Sequence, residues 1–190
     1  MNLSIIIPAF NEEESIKPLV NLIFKNLDKN LEDFEIILID DGSNDKTWDE
    51  IVKISNKFEN IVSIKLLENY GKSDALDAGF KVCKGNYVLT MDADLQDDPS
   101  EILPLYTMIK ENKYDLVSGW KKKRNDPLTK TIPSKFFNLV TRLFSGIKLN
   151  DFNCGIKIYR KEVIDSINLY GEMHRYIPLI AKWNGFNKIA

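Results

Sequence analysis

Val88-Leu89-Thr90-Met91-Asp92-Ala93-Asp94-Leu95-Gln96 is the stretch of this sequence that indicates the fold most directly. Its apolar half predicts a buried strand, and the carboxylates of Asp92 and Asp94 follow at the carboxyl end, where open α/β sheets bind ligands. Two carboxylates one residue apart suit one Mg²⁺ or Mn²⁺, since these ions take oxygen ligands from carboxylates and substrate phosphates. The alternative is a solvated acidic turn before a helix that opens at Pro99. This stretch alone leaves both open.

The rest of the chain continues an alternation of strands and helices. Residues 16–27 carry an apolar stripe at helical spacing, and further helices are indicated around residues 48–52 and 75–83. Near-continuous apolar runs are typical of strands in a parallel sheet that is covered on both faces. We therefore predict an α/β fold, a mainly parallel Rossmann-like sheet with helices on both faces. The predicted strands are Leu3–Ile7, Phe34–Ile39, Ile61–Leu67, Tyr87–Met91 and Tyr114–Val117.

Length and composition favour one domain. The 190 residues, 44% of them hydrophobic, suffice for a single well-cored domain over residues 1–190. The two cysteines, Cys83 and Cys154, lack the spacing of a zinc site or a disulfide framework, which favours a reducing compartment. Met1 leads almost at once into an apolar strand, and no apolar run approaches the ~20 residues of a membrane span. We therefore expect neither a signal peptide nor a spanning helix.

The formal net charge of -2 conceals a segregated distribution. Residues 1–119 carry 12 basic and 23 acidic side chains, whereas residues 120–148 carry 8 basic and 1 acidic. Such a basic block is either a solvated loop or an anion site, and composition alone favours the loop. Nucleic acid is a poor partner, because the first half of the block lacks interleaved aromatic residues and the remaining surface is acidic.

Polar side chains follow three of the predicted strands. Asn11 and Glu12 follow the first strand, Asp40 and Asp41 follow the second, and the pair at residues 92–94 follows the fourth. Because the carboxyl ends of parallel strands meet in one crevice, these side chains are expected to converge. Taken singly, each has a structural alternative as a helix cap or a turn residue, and capping is favoured for Ser43 and Asp45.

Two other classes of acidic-loop enzyme fit poorly. A haloacid-dehalogenase-type phosphatase has Asp-x-Asp after an early strand and expects Thr or Val where this chain has Gln96. A response-regulator receiver has paired acids after its first strand and a phosphorylatable aspartate after its third. Here the acidic pairs follow the second and the fourth predicted strands.

Six motifs in order carry a resemblance to a known family. They are SIIIPAFNEE (4–13), IDDGSND (39–45), MDADLQ (91–96), SGWK (118–121), SKFFN (134–138) and DFNCG (151–155). The first three resemble family 2 glycosyltransferases of GT-A fold, and the last three resemble the polyprenyl-phosphate branch, the dolichyl-phosphate mannosyltransferase-like enzymes. The resemblance spans nearly the whole chain.

The resemblance implies an inverting transfer of a hexose from UDP- or GDP-sugar. Asp92, Asp94 and Gln96 would hold Mg²⁺ or Mn²⁺ against the diphosphate, where the cation stabilises charge on the departing nucleotide. Asp41 would accept an N–H of the base. The residues implied to bind the donor nucleotide are Pro8, Ala9, Asn11, Glu12, Asp41, Gly71, Lys72, Asp92 and Ala93.

The resemblance also implies a polyprenyl phosphate acceptor, held by Lys121, Lys130 and Ser134. A phosphomonoester carries between one and two negative charges near neutral pH, which gives the basic block a purpose. The family usually has arginine at the first two positions, and lysine supplies charge without a bidentate fork. Asp151 takes the candidate base position and is expected to orient the acceptor or remove a residual proton. Residues 133–145 are compatible with an amphipathic helix at the membrane or a core helix.

Several expectations about the whole protein follow from the resemblance. The enzyme would act at the cytoplasmic face of the membrane as a peripheral protein, with residues 1–119 binding the nucleotide sugar and residues 120–190 on the acceptor side. Relatives normally continue past the position of Ala190 through a closing segment, so we expect a truncated carboxyl terminus. The alternatives are a family 2 transferase with a glycan or protein acceptor, and a nucleotide-sugar-binding module without turnover. The sugar, the base and the oligomeric state stay open.

Overall fold

The computed structural model describes residues 1–27, 31, 33–120, 141–142 and 146–190. Its strands are β1 (Leu3–Ala9), β2 (Phe34–Asp40), β3 (Ile61–Lys65), β4 (Tyr87–Thr90), β5 (Leu116–Ser118) and β6 (Lys157–Arg160). Its α-helices are α1 (Ile16–Leu27), α2 (Thr47–Ser55), α3 (Lys72–Val82), α4 (Ile102–Asn112), α5 (Lys161–Asp165) and α6 (Ile177–Trp183). Short 3₁₀ helices span Pro99–Glu101 and Met173–Tyr176.

The strands form one mixed sheet in the order β3-β2-β1-β4-β6-β5. The first four in this order pair in parallel, and β6 runs antiparallel to both β4 and β5. The prediction of a mainly parallel sheet is confirmed, and the five predicted strands are present with shifted ends. The third strand ends at Lys65, and Leu67 beyond it is 96% exposed.

Strand β6 was missed by the sequence analysis. It is four residues long, and it begins with a lysine whose charged head suggests a solvent position. In the structure Lys157 is buried, and β6 is inserted between two strands that precede it by more than 35 residues. Pairing with distant strands is a tertiary event that leaves no periodic signal in so short a segment.

Helices cover both faces of the sheet, as predicted. On β1, the side chains of Leu3, Ile5 and Ile7 pack with α1, α2 and α4, whereas Ile6 packs with α3, α5 and α6 on the opposite face. This division follows from the two-residue period of a strand. Because β1 and β2 are buried on both faces, the carboxyl edge of the sheet is where their polar loops reach solvent.

The cysteines and the helix lengths complete the description. Cys83 and Cys154 are both buried and free, and burial raises the pKa of the Cys154 thiol to about 11. Within the described residues, no helix has the length and apolar character needed to cross a bilayer. The predicted helix at residues 133–145 lies almost wholly outside the described residues.

Candidate active site

One cavity of about 370 Å³ opens at the carboxyl edge of the parallel strands. Its walls come from the end of β1, from the loops after β1, β2, β3 and β4, and from the start of α3. The structure therefore brings the three predicted polar loops to one place, as expected from their positions at strand ends. The lining residues are Pro8, Ala9, Phe10, Glu12, Asp41, Asn69, Gly71, Lys72, Asp92, Ala93 and Asp94.

The loop after β1 is held against the loop after β2 by hydrogen bonds. Asn11 adopts a left-handed backbone with φ of 57°, and its N–H donates to Ser43 Oγ at 2.9 Å. Asn44 N returns a bond to Asn11 Oδ1 at 2.9 Å. The N–H of Glu12 donates to Thr47 Oγ1 at 2.7 Å. Asn11 is thus exposed and directed at the second loop, and it does not line the cavity, whereas Glu12 does.

Helix α2 has Lys46 at its N-cap without a side-chain cap hydrogen bond, so neither Ser43 nor Asp45 is the N-cap residue. Asp45 Oδ1 accepts the N–H of Thr47, the first residue of α2, at 2.9 Å. The hydroxyl of Ser43 is instead the acceptor that fixes Asn11. A capping pattern in sequence does not distinguish a local acceptor from one that serves a loop 32 residues away.

Asp41 lines the cavity and holds the backbone of the loop that precedes α3. It is 4% exposed, and its two carboxylate oxygens accept the N–H groups of Tyr70 and Gly71, each at 2.9 Å. Burial raises the pKa of the Asp41 carboxyl, and these two N–H donors oppose that rise. A carboxylate has about four acceptor positions, so Asp41 can still accept a hydrogen bond from a ligand in the cavity.

Asp92 and Asp94 lie side by side on the cavity wall after β4. Asp92 Oδ1 forms an ion pair with Lys72 Nζ, and Asp94 Oδ1 accepts the N–H of Gln96 at 3.1 Å. Leu95, which follows Asp94 in the same turn, has a left-handed backbone with φ of 60°. The side chain of Gln96 is exposed and is not part of the cavity wall.

Gly155 supports Asp92 from behind. A Cβ atom at this position would lie 2.5 Å from Asp92 Oδ2 and 2.6 Å from Asp97 Oδ2. The carbonyl of Gly155 accepts a bond from Thr90 Oγ1 at 3.2 Å, which anchors it to β4. The segment at residues 151–156 therefore packs directly on the Asp-x-Asp turn, and only glycine leaves room for that approach.

The donor set of the cavity fits Mg²⁺ or Mn²⁺. Asp92 and Asp94 supply hard carboxylate oxygens, which both ions prefer. Among the described residues there is no group of three or more His, Cys, Asp or Glu side chains placed to hold a metal. An ion held by these two carboxylates would complete its shell from a bound diphosphate and water, which is the usual arrangement for Mg²⁺.

Asp151 does not line the cavity. It is 3% exposed, its Oδ1 accepts the N–H of Asn153 at 3.0 Å, and its carbonyl accepts from Ser118 Oγ at 3.2 Å. The predicted acceptor residues Lys121, Lys130 and Ser134 lie outside the described residues. The role of Asp151 and of these three residues stays a prediction.

Three residues near the site were missed by the sequence analysis. Phe10 and Asn69 line the cavity; Phe10 lies inside the motif at residues 4–13, and Asn69 lies two residues before the predicted binding residue Gly71. Lys157 is buried in β6 beneath the site and donates to the carbonyl of Cys154. Burial lowers the pKa of Lys157 to about 8, and the charges of Lys72, Asp92 and Asp151 also act on it. No periodic pattern singles out such a residue.

The single histidine joins the segment before α6 to the start of α3. His174 Nδ1 lies 3.0 Å from Ser73 Oγ, and the His174 N–H donates to the same hydroxyl at 3.0 Å. Burial, followed by the charge of Lys72, lowers the pKa of His174 to about 4.

A pH dependence of stability follows from His174. Its pKa is about 4 in the folded protein and 6.5 in the unfolded chain, so between these values the unfolded chain binds more protons. The stabilisation is present above pH 6.5 and is lost as the pH falls toward 4. We expect the Tm to fall between pH 7 and pH 5, and to fall less in His174→Gln, which cannot gain the charge. Equal pH slopes for both proteins would contradict this assignment.

Comparison with known proteins places this geometry in a family. The family described as Glycosyl transferase family 2 matches residues 4–167. The chain is 37% identical over 180 residues to the dodecaprenyl-phosphate galacturonate synthase of Rhizobium johnstonii, covering 94% of this chain and 53% of that protein. It is 35% identical over 179 residues to the undecaprenyl-phosphate 4-deoxy-4-formamido-L-arabinose transferase of Pseudomonas syringae, covering 94% of this chain and 53% of that protein. The chain thus spans about half the length of these curated relatives.

Solved structures share the fold at lower sequence identity. Glucosyl-3-phosphoglycerate synthase from Mycobacterium tuberculosis, in complex with Mn²⁺ and UDP-glucose, has a TM-score of 0.74 and 21% identity, covering 100% of this chain and 67% of that one. S. aureus TarS 1-349 in complex with UDP-GlcNAc has a TM-score of 0.71 and 23% identity, covering 100% of this chain and 55% of that one. These neighbours confirm the GT-A fold. The match over residues 4–167 and the relatives at 37% and 35% identity show that the chain belongs to glycosyl transferase family 2.

Proposed function

We propose that this chain is the transferase part of an enzyme that moves a hexose from UDP- or GDP-sugar to a polyprenyl phosphate. The observation that carries the proposal is that Asp41, Lys72, Asp92 and Asp94 line the same cavity. The relatives support the acceptor class, because two of them are named for sugar transfer to dodecaprenyl phosphate and undecaprenyl phosphate. The neighbours solved with UDP-glucose and UDP-GlcNAc support the donor class.

The nucleoside would lie against the loops after β1 and β2. Asp41 is buried in the cavity wall and can still accept hydrogen bonds, so it would accept an N–H of the base. Pro8, Ala9 and Phe10 present an apolar surface to the base and ribose, and Glu12 lines the same side. Both uracil and guanine carry a suitable N–H donor, which is why either nucleotide fits this proposal.

The diphosphate would lie between the start of α3 and the Asp-x-Asp turn. Gly71 and Lys72 line the cavity at the start of α3, and Asp92 and Asp94 line it after β4. A bound Mg²⁺ or Mn²⁺ supplies neutralisation of the charge that develops on the departing nucleoside diphosphate. The protein's contribution would be to present both carboxylates to the ion and an ammonium group to the same phosphates.

Transfer forms one bond and breaks one. An oxygen of the polyprenyl phosphate attacks the anomeric carbon of the sugar, the bond to the nucleoside diphosphate breaks, and the configuration inverts. An ionised phosphate needs little deprotonation, so Asp151 would orient the acceptor or take a residual proton. We propose that Lys121, Lys130 and Ser134 hold the acceptor phosphate, with residues 1–119 on the donor side and 120–190 on the acceptor side of one domain. The reaction would occur at the cytoplasmic membrane surface.

Ligand-dependent stabilisation tests the donor side. The Tm would be measured with UDP, GDP, UDP-glucose and GDP-mannose, each with and without Mn²⁺. A ligand at about 100 times its Kd stabilises the fold by about 2.7 kcal/mol, or roughly 5 to 10 °C for a chain of this size. A stabilisation by one nucleotide series that grows with Mn²⁺ is the expected result. No shift with any nucleotide would reject the proposal.

Product analysis tests the acceptor side. With labelled sugar nucleotide and undecaprenyl phosphate, we expect label to partition into organic solvent with the lipid phosphate. Label that appears only in a water-soluble glycan or in protein would instead favour a family 2 transferase with that acceptor. Donor binding without transfer, even in a full-length relative carrying this domain, would favour a binding module.

A further inference from the structure

The cavity contains a cation of its own. The Nζ of Lys72 pairs with Asp92 Oδ1, on the carboxylate that the proposed function assigns to the metal. The other Asp92 oxygen packs against the backbone of Gly155, where a Cβ atom would approach it to 2.5 Å. A cation that enters from the cavity therefore meets Lys72 at the Oδ1 atom. A metal ion and the Lys72 ammonium compete for one oxygen.

The position of the Lys72–Asp92 ion pair allows Lys72 to exchange Asp92 for another anion. The side chains of Lys72 and Asp92 are 33% and 31% exposed, so water reaches both groups. Partly exposed ion pairs contribute little net stability, so separating Lys72 from Asp92 costs little. The backbone before Lys72 is fixed, because Asp41 accepts the N–H groups of Tyr70 and Gly71. Only the lysine side chain has to move.

The alternative position for Lys72 lies in the same cavity. Lys72 is the first residue of α3, and it lines the cavity that Asp94 also lines. The proposed diphosphate would lie in this cavity, within reach of a lysine side chain that leaves Asp92. An ammonium group that gives up one carboxylate needs another anion, and the diphosphate provides it.

We propose that Lys72 is an exchangeable counter-ion that pairs with Asp92 in the ligand-free site and transfers to the donor diphosphate when a divalent cation takes Asp92. This inference rests on the proposed function. Each ligand then prepares the site for the other: the metal releases Lys72 for the diphosphate, and the diphosphate draws Lys72 away from Asp92. By linkage, the two binding equilibria must strengthen each other by the same factor.

Lys72→Met tests the exchange through opposite changes in two affinities. Without its ammonium competitor, Asp92 should bind Mn²⁺ alone about 3- to 5-fold more tightly, the range that a partly exposed ion pair can oppose. UDP or GDP without metal should bind about 10- to 100-fold more weakly, because a charge-assisted contact is lost. The factor by which Mn²⁺ and nucleotide strengthen each other should fall. Free Mn²⁺ is counted by electron paramagnetic resonance, and nucleotide binding by calorimetry.

Lys81→Met is the matched control. Lys81 lies on the same helix and pairs with Asp77 at 2.5 Å, but it does not line the cavity. It should change neither affinity nor their coupling. A purely structural role for Lys72 would weaken Mn²⁺ and nucleotide binding together, and that result would overturn the inference, as would an unchanged Mn²⁺ affinity.

Asp92→Asn provides a second, independent measurement. This change removes the partner of Lys72, so nucleotide binding in EDTA should become tighter, and the gain should vanish in Lys72→Met/Asp92→Asn. An Asp92→Asn protein with unchanged metal-free affinity would overturn the exchange.

If the unmodified protein binds no nucleotide at any Mn²⁺ concentration, the proposed function fails and the exchange fails with it. If it binds nucleotide but Lys72→Met lacks the opposite changes, only the exchange fails.

Discussion

Asp94→Asn is expected to abolish most of the metal dependence of donor binding. The substitution removes one of two protein carboxylates available to the ion, and a lost charge-assisted contact costs about 1.5–3 kcal/mol, or one to two decades in affinity. Loss of a group that stabilises transition-state charge lowers turnover by roughly 10²- to 10³-fold. The fold should be unaffected, because the Asp94 side chain is exposed. Nucleotide-sugar affinity would be measured with Mn²⁺ and with EDTA.

Asp98→Asn is the control for that experiment. Asp98 lies in the same acidic loop, and its Oδ1 accepts the N–H of Ser100 at 2.9 Å as a cap of the following 3₁₀ helix. Asparagine is an equally good cap, so both fold and metal response should persist. Asp92→Asn should be milder than Asp94→Asn, because it releases Lys72 toward the diphosphate. A full Mn²⁺ response in Asp94→Asn would remove this residue from the metal site.

Gly42→Ala is expected to give the largest loss of stability. Gly42 has φ of 68°, and a Cβ atom there would lie 2.3 Å from the Glu68 carbonyl carbon and 2.6 Å from the Asn69 nitrogen. Both atoms are backbone, so the clash cannot be relieved by a side-chain rotation. The left-handed backbone costs about 1–2 kcal/mol and overpacking about 1–3 kcal/mol more. The Tm should therefore fall by roughly 10 °C.

Gly171→Ala separates the two contributions. Gly171 has φ of 56°, but nothing lies within 4 Å of its Cβ position. Its substitution should cost only the backbone part, about 1–2 kcal/mol. Gly42→Ala should in addition weaken nucleotide binding, because the displaced residues 68–71 form a cavity wall that includes Asn69 and Gly71. Equal losses of Tm in the two variants would show that the close approach at Gly42 is not important.

The local pattern of the chain was sufficient for the parallel core. The strands β1 and β2 are nearly uniform apolar runs, and the α1 stripe has a clear helical period, so burial and periodicity specify them. The strand ends then place Asp41, Asp92 and Asp94 at one edge of the sheet. This placement follows from parallel topology, which is why the cavity-lining aspartates could be predicted.

The tertiary structure alone decided the features that depend on contacts distant in sequence. It inserted β6 between β4 and β5, buried Lys157, and paired Lys72 with Asp92 across 20 positions of sequence. It also turned Asn11 toward Ser43 and Asn44 rather than toward the cavity. The amino-acid sequence by itself determined which segments form the parallel strands, which faces are apolar, and which loops carry carboxylates, because these depend on side chains a few residues apart. Which charged groups meet depends on loop conformation and on chain crossings, and these have no period in the sequence that could reveal them.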